Sequence, residues 1–438
     1  MVEVIVAKFG GSSLSDSHQF KKVKDIVLAD ERRCYVVPSA PGKRHKGDYK
    51  ITDLLYLCQE HVEKSLPFDE LFELIKERYT TLCSELNVSI DMLKYLNELK
   101  EKIIDGASKD YVASRGEYLN GLVLAEYLGY EFVDAAEIIV FKKSGRLDED
   151  ATYDAVNKRL LKAKKAVIPG FYGASPDGKI ITFSRGGSDI SGAIIAKGVD
   201  AIVYENWTDV SGFLMADPRI VNNPKHIEEV TYKELRELSY MGANVFHEEA
   251  IFPVKNHGIP INIKNTNSPL DKGTFILNNK LEVKTGNITG IAGKKDFTVI
   301  AIEKTLMKKH IGYCRRILSI LENNNVAFEH IPSGIDSISL VIDDLELDNK
   351  LDIILEEIEK QCRPDSLITY PNMALIAVVG EGIIRTKGIS AKVFSALSKY
   401  DINIRMINQG SSELSIIVGV ENEDIENAIR AVYNSFED

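Results

Sequence analysis

The sequence predicts an α/β fold with a mainly parallel central sheet, followed by two smaller α+β units. Three observations support this prediction. Short apolar runs alternate with amphipathic stretches up to about residue 285, a pattern typical of a covered parallel sheet. A polar stretch, NNKLEVKTGN, then ends the alternation. After it, one order of predicted strands and helices occurs twice, which indicates an internal repeat.

The elements of the first part follow from local patterns. Buried strands are predicted for the apolar runs VEVIVA, RCYVVPSA, YEFVDAAEIIV, KAVIPGFYG, DAIVYENW and PINIKN. Helices are predicted where apolar residues have helical spacing, in HQFKKVKDIVLAD, RLLKAKK and DISGAIIAKGV. PDGKI predicts a hairpin turn. At about 53–109 the chain is charged and rich in helical patterns, so we expect a helical flank there.

The two C-terminal repeats each predict the order βαββα. They align at Gly312 and Gly388, which precede a helix, and at the strands VAFEHI and INIRMI. The second copy ends on a helix, so we expect its closing strand to come from 288–294, ITGIAGK. The predicted domains are therefore 1–285, 286–370 with its preceding linker, and 371–438.

The bulk properties exclude several classes of protein. The 438 residues carry a formal net charge of -11, which argues against nucleic acid or an anionic membrane as partner, because both require clustered cations. The five cysteines form no CxxC pair, and the eight histidines have no metal-ligand spacing. No apolar run approaches the ~18 residues of a membrane span. Because a predicted strand, rather than a leader, begins the sequence, we expect a cytoplasmic protein with reduced cysteines.

Two stretches combine a cation, a glycine pair and hydroxyl groups before a helix. In KFGGSS, Lys8 precedes Gly10 and Gly11, and in SRGGSD, Arg185 precedes a glycine pair and Asp189. Glycines let backbone N–H groups approach an anion, and the helix N-terminus favours negative charge. An ordinary turn with an N-cap serine explains the first stretch equally well, and an N-cap role explains Asp189 alone.

Three weaker elements lie in the same part of the chain. Thr208 and Asp209 end a predicted strand, where α/β folds bind ligands, although an Asx turn also accounts for TDVSG. Arg219 follows in ADPR. Glu117, predicted in the first turn of an amphipathic helix, either complements the helix dipole or binds a cationic group such as an ammonium. Cations and backbone amides without a nucleophilic triad favour phosphoryl transfer, which requires the two glycine-pair corners to converge on one cleft.

The motifs KFGGSS, SRGE, TFSRGGSD, WTDVSG, DPR and NIRMINQG resemble, in order and spacing, those of aspartokinases, members of the amino acid kinase family. The resemblance covers essentially the whole chain. It implies an amino-acid-kinase-type sandwich and two ACT-like (βαββαβ) domains. It also implies ATP-dependent phosphorylation of the L-aspartate β-carboxylate to 4-phospho-L-aspartate, the first step of lysine, threonine and methionine biosynthesis.

The resemblance also assigns site residues. It implies that Lys8, Arg185 and Asp189 are the catalytic residues. ATP would be bound by Lys8, Gly10, Gly11, Ser12, Ser13, Thr208, Asp209 and Arg219. L-aspartate would be bound by Ser39, Thr52, Glu117, Arg185, Ser188 and Asp189. Mg²⁺ would come with ATP, held by phosphates and water rather than by protein ligands.

The chain departs from the family pattern at three places. Leu214 stands where an aromatic residue is frequent, and Asn244 and Glu248 replace a lysine and a proline. The segment PGKRHKGDYKITD is longer than usual. Its cations Lys43, Arg44 and Lys46 would replace the missing charge, or would belong to a solvated basic loop.

For the repeats, the resemblance implies feedback regulation by lysine or threonine and a homo-oligomer formed through the ACT-like domains. The matching positions are Met307, His310, Gly312, Tyr313, Glu329 and Ser333, although MKKHIGYC is equally consistent with a loop that binds no ligand. We expect a monofunctional enzyme. Two alternatives stay open at this stage: another amino acid kinase, acting on glutamate or acetylglutamate, and a non-catalytic amino acid sensor.

Overall fold

The computed structural model of the chain describes residues 3–184, 186–242, 252–280 and 288–437. These residues form two compact units. The first contains residues 3–213 without Arg185, 226–232 and 252–280, and the second contains 214–225, 233–242 and 288–437. The second unit thus includes two short segments from within the predicted first domain. The domain boundaries at 285 and 370 remain predictions.

The first unit is built on the mainly parallel sheet that the sequence predicts. Its strands are β1 (Ile5–Phe9), β2 (Arg33–Pro38), β3 (Glu131–Phe132), β4 (Ala166–Val167), β7 (Val203–Thr208), β8 (Glu229–Thr231), β9 (Ile261–Asn265) and β10 (Thr274–Leu277). Their spatial order is β3-β4-β2-β1-β7-β9-β10-β8. Among these described strands, β9 and β10 form the one antiparallel pair. The predicted hairpin is confirmed as β5 (Tyr172–Ala174) paired with β6 (Ile180–Thr182).

Helices cover this sheet and form the flank. They are α1 (Ser17–Leu28), α2 (Ile51–Glu63), α3 (Asp69–Leu86), α4 (Met92–Ile104), α5 (Lys109–Leu128), α6 (Ala135–Ile138), α7 (Glu149–Ala163), α8 (Gly187–Gly198) and α10 (Phe252–Lys255). Helix α9 (Tyr232–Tyr240) begins at the end of the first unit and continues in the second. One apolar core joins sheet residues such as Phe9 and Trp207 to residues of α3 and α5 such as Tyr79 and Leu119.

Two predicted strands are largely wrong. VAFEHI forms no strand, and its His330 makes only an isolated bridge with Val341. In YEFVDAAEIIV, strand β3 contains two residues, and helix α6 follows after Asp134. The Asp134 carboxylate accepts a hydrogen bond from the Ala136 backbone N–H at 3.0 Å. This N-cap stabilises a short helix, and it overrides the strand propensity of the apolar residues that follow.

The second unit contains a five-stranded antiparallel sheet. Its strands are β11 (Gly290–Glu303), β12 (Ser337–Asp343), β13 (Ser366–Val379), β14 (Met406–Asn408) and β15 (Ser415–Glu421), in the order β12-β11-β13-β15-β14. Its helices are α11 (Tyr313–Asn323), α12 (Asp344–Leu347), α13 (Leu351–Cys362), α14 (Glu381–Arg385), α15 (Ile389–Lys399) and α16 (Ile425–Glu437).

The long strand β11 belongs to both repeats. Its first part, Gly290–Lys294, pairs with the end of β13 from Leu375 to Val379. Its second part, from Phe297 to Glu303, pairs with β12 of the first repeat. A segment that precedes the first repeat therefore lies beside a strand of the second repeat.

The five cysteines, all in the described part of the chain, are unpaired. Within the same residues, no helix is long and apolar enough to cross a lipid bilayer.

Candidate active site

The candidate site lies at the carboxyl ends of β1 and β7, the two central strands of the first sheet. Lys8 on β1 is in register with Asn206 on β7, so the two side chains lie on the same face of the sheet. The Lys8 Nζ atom is 2.6 Å from Asp189 Oδ1, and the Asn206 side-chain N–H donates to the same oxygen at 2.8 Å. All three side chains are largely buried, so the ammonium is held in a fixed position.

Asp189 reaches Lys8 because of how α8 begins. The helix is capped by Gly186, in the left-handed region with φ of 75°, and the Asp189 carboxylate does not cap it. The interpretation of Asp189 as an N-cap is therefore wrong, and its side chain is left to bind Lys8. Arg185, the cation of this corner, lies outside the described residues. Ser188 is buried against Gly170, where an added Cβ would lie 2.8 Å from the serine Cβ.

The other glycine corner follows β1 directly. The Gly10 N–H donates to the Trp207 carbonyl at 2.9 Å, and residues Gly11–Leu14 form a 3-10 turn. A Cβ on Gly11 would lie 2.9 Å from the Ala40 carbonyl oxygen, so the close approach requires glycine here. Ser13 is held by a 2.7 Å hydrogen bond between its Oγ and Thr266 Oγ1, whereas Ser12 is only partly buried.

Glu117 lies in the middle of α5, so its predicted place in a first turn is wrong, as is the dipole explanation for it. Gly116 brings α5 against the chain after β2, since a Cβ there would lie 2.9 Å from the Ala40 Cβ. The Glu117 side chain is buried, and its Oε2 atom has no hydrogen-bond partner among the described residues. Burial raises its pKa to about 8, while the Ala40 backbone N–H and the charges of Arg115 and Lys8 lower that pKa by less.

Ser39 and Thr52 lie around Glu117 on neighbouring elements. The Ser39 carbonyl accepts from Asn120 Nδ2 at 2.6 Å, and Asn120 is three residues beyond Glu117 on α5. The other polar atom of that amide, Asn120 Oδ1, is buried without a partner in the part of the chain described. Thr52, in the first turn of α2, is half-buried.

The residues predicted for the nucleotide are more dispersed. Thr208 and Asp209 lie at the end of β7, where the Thr208 hydroxyl donates to the Asp209 carboxylate at 3.1 Å. Arg219 belongs to the second unit, where its guanidinium binds Asp217 at 2.6 Å and its side chain is 88% exposed. Leu214 belongs to the second unit as well, and Asn244 and Glu248 lie outside the described residues.

The charge in the basic loop is already partly neutralised. Arg44 donates to both carboxylate oxygens of Asp48, at 2.9 and 3.1 Å. Lys43 and Lys46 are exposed. Across the described ranges, no group of three or more His, Cys, Asp or Glu side chains could hold a metal ion.

The predicted effector residues of the first repeat lie on two segments. Gly312, with φ of 77°, caps α11, and Tyr313 is buried with a hydroxyl that has no partner in the described part of the chain. His310 is exposed, with its ring centroid 6.3 Å from that of Tyr313. The buried Met307 is linked by its N–H to Asp336 Oδ1 at 3.3 Å. The segment containing Glu329 and Ser333 pairs with β12.

The sequence did not identify several residues that complete the site. Asn206, Trp207 and Gly42 contact the predicted residues through strand register or backbone approach. A polar residue inside an otherwise buried strand was the available signal for Asn206. No pattern in the sequence marks Gly42, because its contact depends on tertiary structure.

The chain is similar to proteins of known function along its whole length. The amino acid kinase family model matches residues 3–265, and an ACT domain model matches 376–436. Aspartokinase 3 of Bacillus subtilis is 39% identical over 98% of this chain and 98% of its own. The crystal structure of Clostridium acetobutylicum aspartate kinase, described as an allosteric enzyme, is 63% identical with a TM-score of 0.95, covering 99% of this chain and 100% of that one. Escherichia coli aspartokinase III in complex with aspartate and ADP is 25% identical with a TM-score of 0.72, and both chains are covered completely.

Proposed function

Because this chain belongs to the aspartokinases of the amino acid kinase family, we propose that it transfers the γ-phosphoryl group of ATP to the β-carboxylate of L-aspartate. The product is 4-phospho-L-aspartate, the first intermediate toward lysine, threonine and methionine. The similarity to a relative that binds aspartate and ADP supports both substrates. The observation that carries the proposal is the buried carboxyl of Glu117, whose Oε2 atom has no hydrogen-bond partner among the described residues and which lies within electrostatic reach of the Lys8 ammonium.

Lys8 is placed to stabilise charge on the transferred group. A carboxylate oxygen of aspartate forms a bond to the γ-phosphorus while the bond to the β–γ bridging oxygen breaks, and that oxygen keeps the electron pair on ADP. No proton has to move, because the acceptor carboxylate is ionised at neutral pH. Asp189 and Asn206 hold the Lys8 side chain in advance, so it does not have to reorient as charge develops.

Glu117 fits the ammonium group of the amino acid substrate. A buried carboxyl with an unused oxygen gains a partner when a cation binds, and the low dielectric of the site strengthens that attraction. The carboxylates of aspartate require cations and hydrogen-bond donors, and we assign this role to Arg185 with Ser39, Thr52, Ser188 and Asp189 around it. Glu117 therefore selects an amino acid over a simple dicarboxylate.

The glycine corner fits the phosphates of ATP. We assign Gly10, Gly11, Ser12 and Ser13 to this role. Because the Gly10 N–H is bound to the Trp207 carbonyl and the Ser13 hydroxyl to Thr266, the donors to anionic oxygens come from Gly11 and Ser12, beside the Lys8 ammonium. We assign Thr208 and Asp209 to the rest of the nucleotide, while the assignment of Arg219 stays a prediction of the sequence. Mg²⁺, when bound through the phosphates, neutralises part of their charge.

The repeats are proposed to regulate the enzyme. The similarity to an allosteric aspartate kinase supports regulation, and we propose an amino acid effector, lysine or threonine, at the loop from Met307 to Tyr313 with Glu329 and Ser333. The ACT-like units, at 286–370 and 371–438, are proposed to form a homo-oligomer. The five unpaired cysteines support a reducing compartment, and we propose the cytoplasm.

A substrate panel tests the proposed activity. ADP release is measured with MgATP and L-aspartate, L-glutamate or N-acetyl-L-glutamate, each with and without lysine, threonine or both. Turnover with aspartate, reduced by at least one of the two amino acids, is expected. Faster turnover with glutamate would identify a different amino acid kinase, and loss of regulation in every combination would contradict the effector assignment.

A further inference from the structure

The segment from Pro41 to Lys50 touches the glycine corner through its backbone. The Gly42 N–H donates to the Gly11 carbonyl at 2.8 Å. A Cβ on Gly42 would lie 2.6 Å from the Gly11 carbonyl carbon, so the two backbones are in direct contact. The position of Gly42 therefore determines the position of Gly11 in the phosphate-binding corner.

Arg78 on α3 connects both sides of this contact. Its NH1 donates to the Gly42 carbonyl at 2.9 Å and to the Ser15 carbonyl at 3.4 Å. Ser15 directly follows the 3-10 turn of Gly11–Leu14. One guanidinium thus holds the chain just after the corner and the loop packed against it.

A carboxylate of the loop, that of Asp48, stabilises the positive charge of the buried Arg78 guanidinium. The side chain is 4% exposed, and burial lowers the pKa of its guanidinium. Its NH2 binds the Asp48 carboxylate, which also binds Arg44. The hydrogen bonds from Arg44, together with the charge of Arg78, hold the pKa of Asp48 well below its usual range despite its burial. The loop is thereby fastened at both Gly42 and Asp48.

We propose that Arg78 is a positioning residue for phosphoryl transfer, which holds Gly42, and through it the glycine corner, in the arrangement that receives the nucleotide phosphates. This inference rests on the proposed function. It also assigns a role to the long loop: the loop's Asp48 orients Arg78, and its own Arg44 is engaged with that same carboxylate. Arg78 acts on the nucleotide through the backbone and does not touch it.

The neighbouring residue Tyr79 provides a matched control. It is fully buried on the same helix, and its hydroxyl donates to the Gly116 carbonyl at 2.7 Å, beside Glu117. Tyr79→Phe removes one buried hydrogen bond on the aspartate side of the site. Arg78→Met removes the hydrogen bonds to Ser15, Gly42 and Asp48 on the nucleotide side. General loosening of α3 would affect both substrates in both variants.

The experiment measures MgADP affinity by calorimetry, and kcat and KM for both substrates, in the full-length protein. We expect Arg78→Met to weaken MgADP binding about tenfold and to lower kcat by up to about 100-fold, because small misplacements of reacting groups are costly. Its KM for aspartate should stay within about twofold of wild type, whereas Tyr79→Phe should change the aspartate KM and leave MgADP affinity unchanged. Arg78→Lys should restore part of the loss, because lysine keeps the charge but not the planar fork.

Two results would overturn the proposal. The first is MgADP affinity and kcat of Arg78→Met within about twofold of wild type, and the second is an equal effect of both variants on both substrates. If Arg78→Met does not fold, Asp48→Asn decides, since it loosens the same guanidinium from the loop side. Wild-type MgADP affinity in Asp48→Asn overturns the proposal. The titration requires no turnover, so a failure of the proposed activity is distinguishable from a failure of the Arg78 assignment.

Discussion

Lys8 and Asp189 form an ion pair of 2.6 Å between the end of β1 and the first turn of α8, with side chains 9% and 13% exposed. The two residues belong to separate glycine-pair motifs of the sequence. Their contact brings the second corner to the first, and it gives Lys8 a fixed orientation before any substrate binds.

Lys8→Ala tests the role of this ammonium. We expect kcat to fall by about 10²–10³, as for the loss of one preorganised charge-stabilising group, with a much smaller change in aspartate KM. Steady-state ADP release measures both. Wild-type turnover in this variant would remove Lys8 from the mechanism.

Asp189→Asn tests the ion pair as a structural element. The variant leaves the Lys8 ammonium buried without its carboxylate, and breaking a buried pair in this way costs about 3–5 kcal/mol. Denaturant unfolding of the first unit should show the loss. Glu60→Gln, which removes an exposed ion pair with Lys64, is the control and should leave the unfolding midpoint unchanged. Equal midpoints for the two variants would contradict the prediction.

The raised pKa of Glu117 predicts that aspartate binding depends on pH. Its pKa is raised from 4.5 to about 8 in the folded protein, so the free site holds a proton at neutral pH. The aspartate ammonium favours the ionised carboxylate, and the affinity should fall by up to about tenfold for each pH unit below 8. Aspartate KM measured from acid to alkaline pH should show this rise toward low pH. Glu117→Gln should bind aspartate weakly, with a KM that does not vary with pH. If the variant shows the same dependence of KM on pH as wild type, Glu117 is excluded from the site.

The same raised pKa makes the free energy of unfolding fall as pH rises, whereas a carboxylate whose pKa is lowered by folding makes it rise. Because the folded state holds the Glu117 proton more tightly than the unfolded state, stability is lost as pH rises from about 4.5 through 8. Glu117→Gln removes this loss and should be more stable than wild type above pH 8. Thermal unfolding of both proteins across this range provides the comparison, and a smaller stability difference at high pH than at low pH would contradict the prediction.

His310 tests the proposed effector site. His310→Ala changes an exposed side chain next to the buried Tyr313, so we expect basal kcat to be unchanged while inhibition by lysine or threonine is weakened at least about tenfold, as for a lost charge-assisted or ring contact. Lys387→Ala, which removes an exposed side chain directly before Gly388 of the second repeat, is the control and should keep full inhibition. Full inhibition of His310→Ala would show that the effector binds elsewhere.

Apolar patterning was sufficient to predict the sheet of the first unit and the two repeats. Strands such as β1 and β7 are buried runs with clear ends, and their periodicity does not depend on distant residues. The exceptions are YEFVDAAEIIV and VAFEHI. One N-cap at Asp134 redirects the first apolar run into a helix, and the second run forms only an isolated bridge from His330 to Val341.

The site was harder to predict because its geometry depends on register and on backbone contact. Strand pairing places Asn206 beside Lys8, and direct contact of two glycines joins Gly42 to Gly11. Glu117 was identified by its motif, but its helix begins at Lys109, eight residues before Glu117, so this residue does not lie in the first turn. Arg78 lies in the helical flank, where nothing in the local sequence distinguishes it from a surface arginine.

The most direct test of the central claim, phosphoryl transfer to a carboxylate at the Lys8 corner, is hydroxylamine trapping of the acyl phosphate. With saturating MgATP and L-aspartate, the wild-type protein should form aspartyl hydroxamate, and Lys8→Ala should form almost none. No hydroxamate from wild-type protein that binds MgADP would contradict the account and indicate a sensor instead.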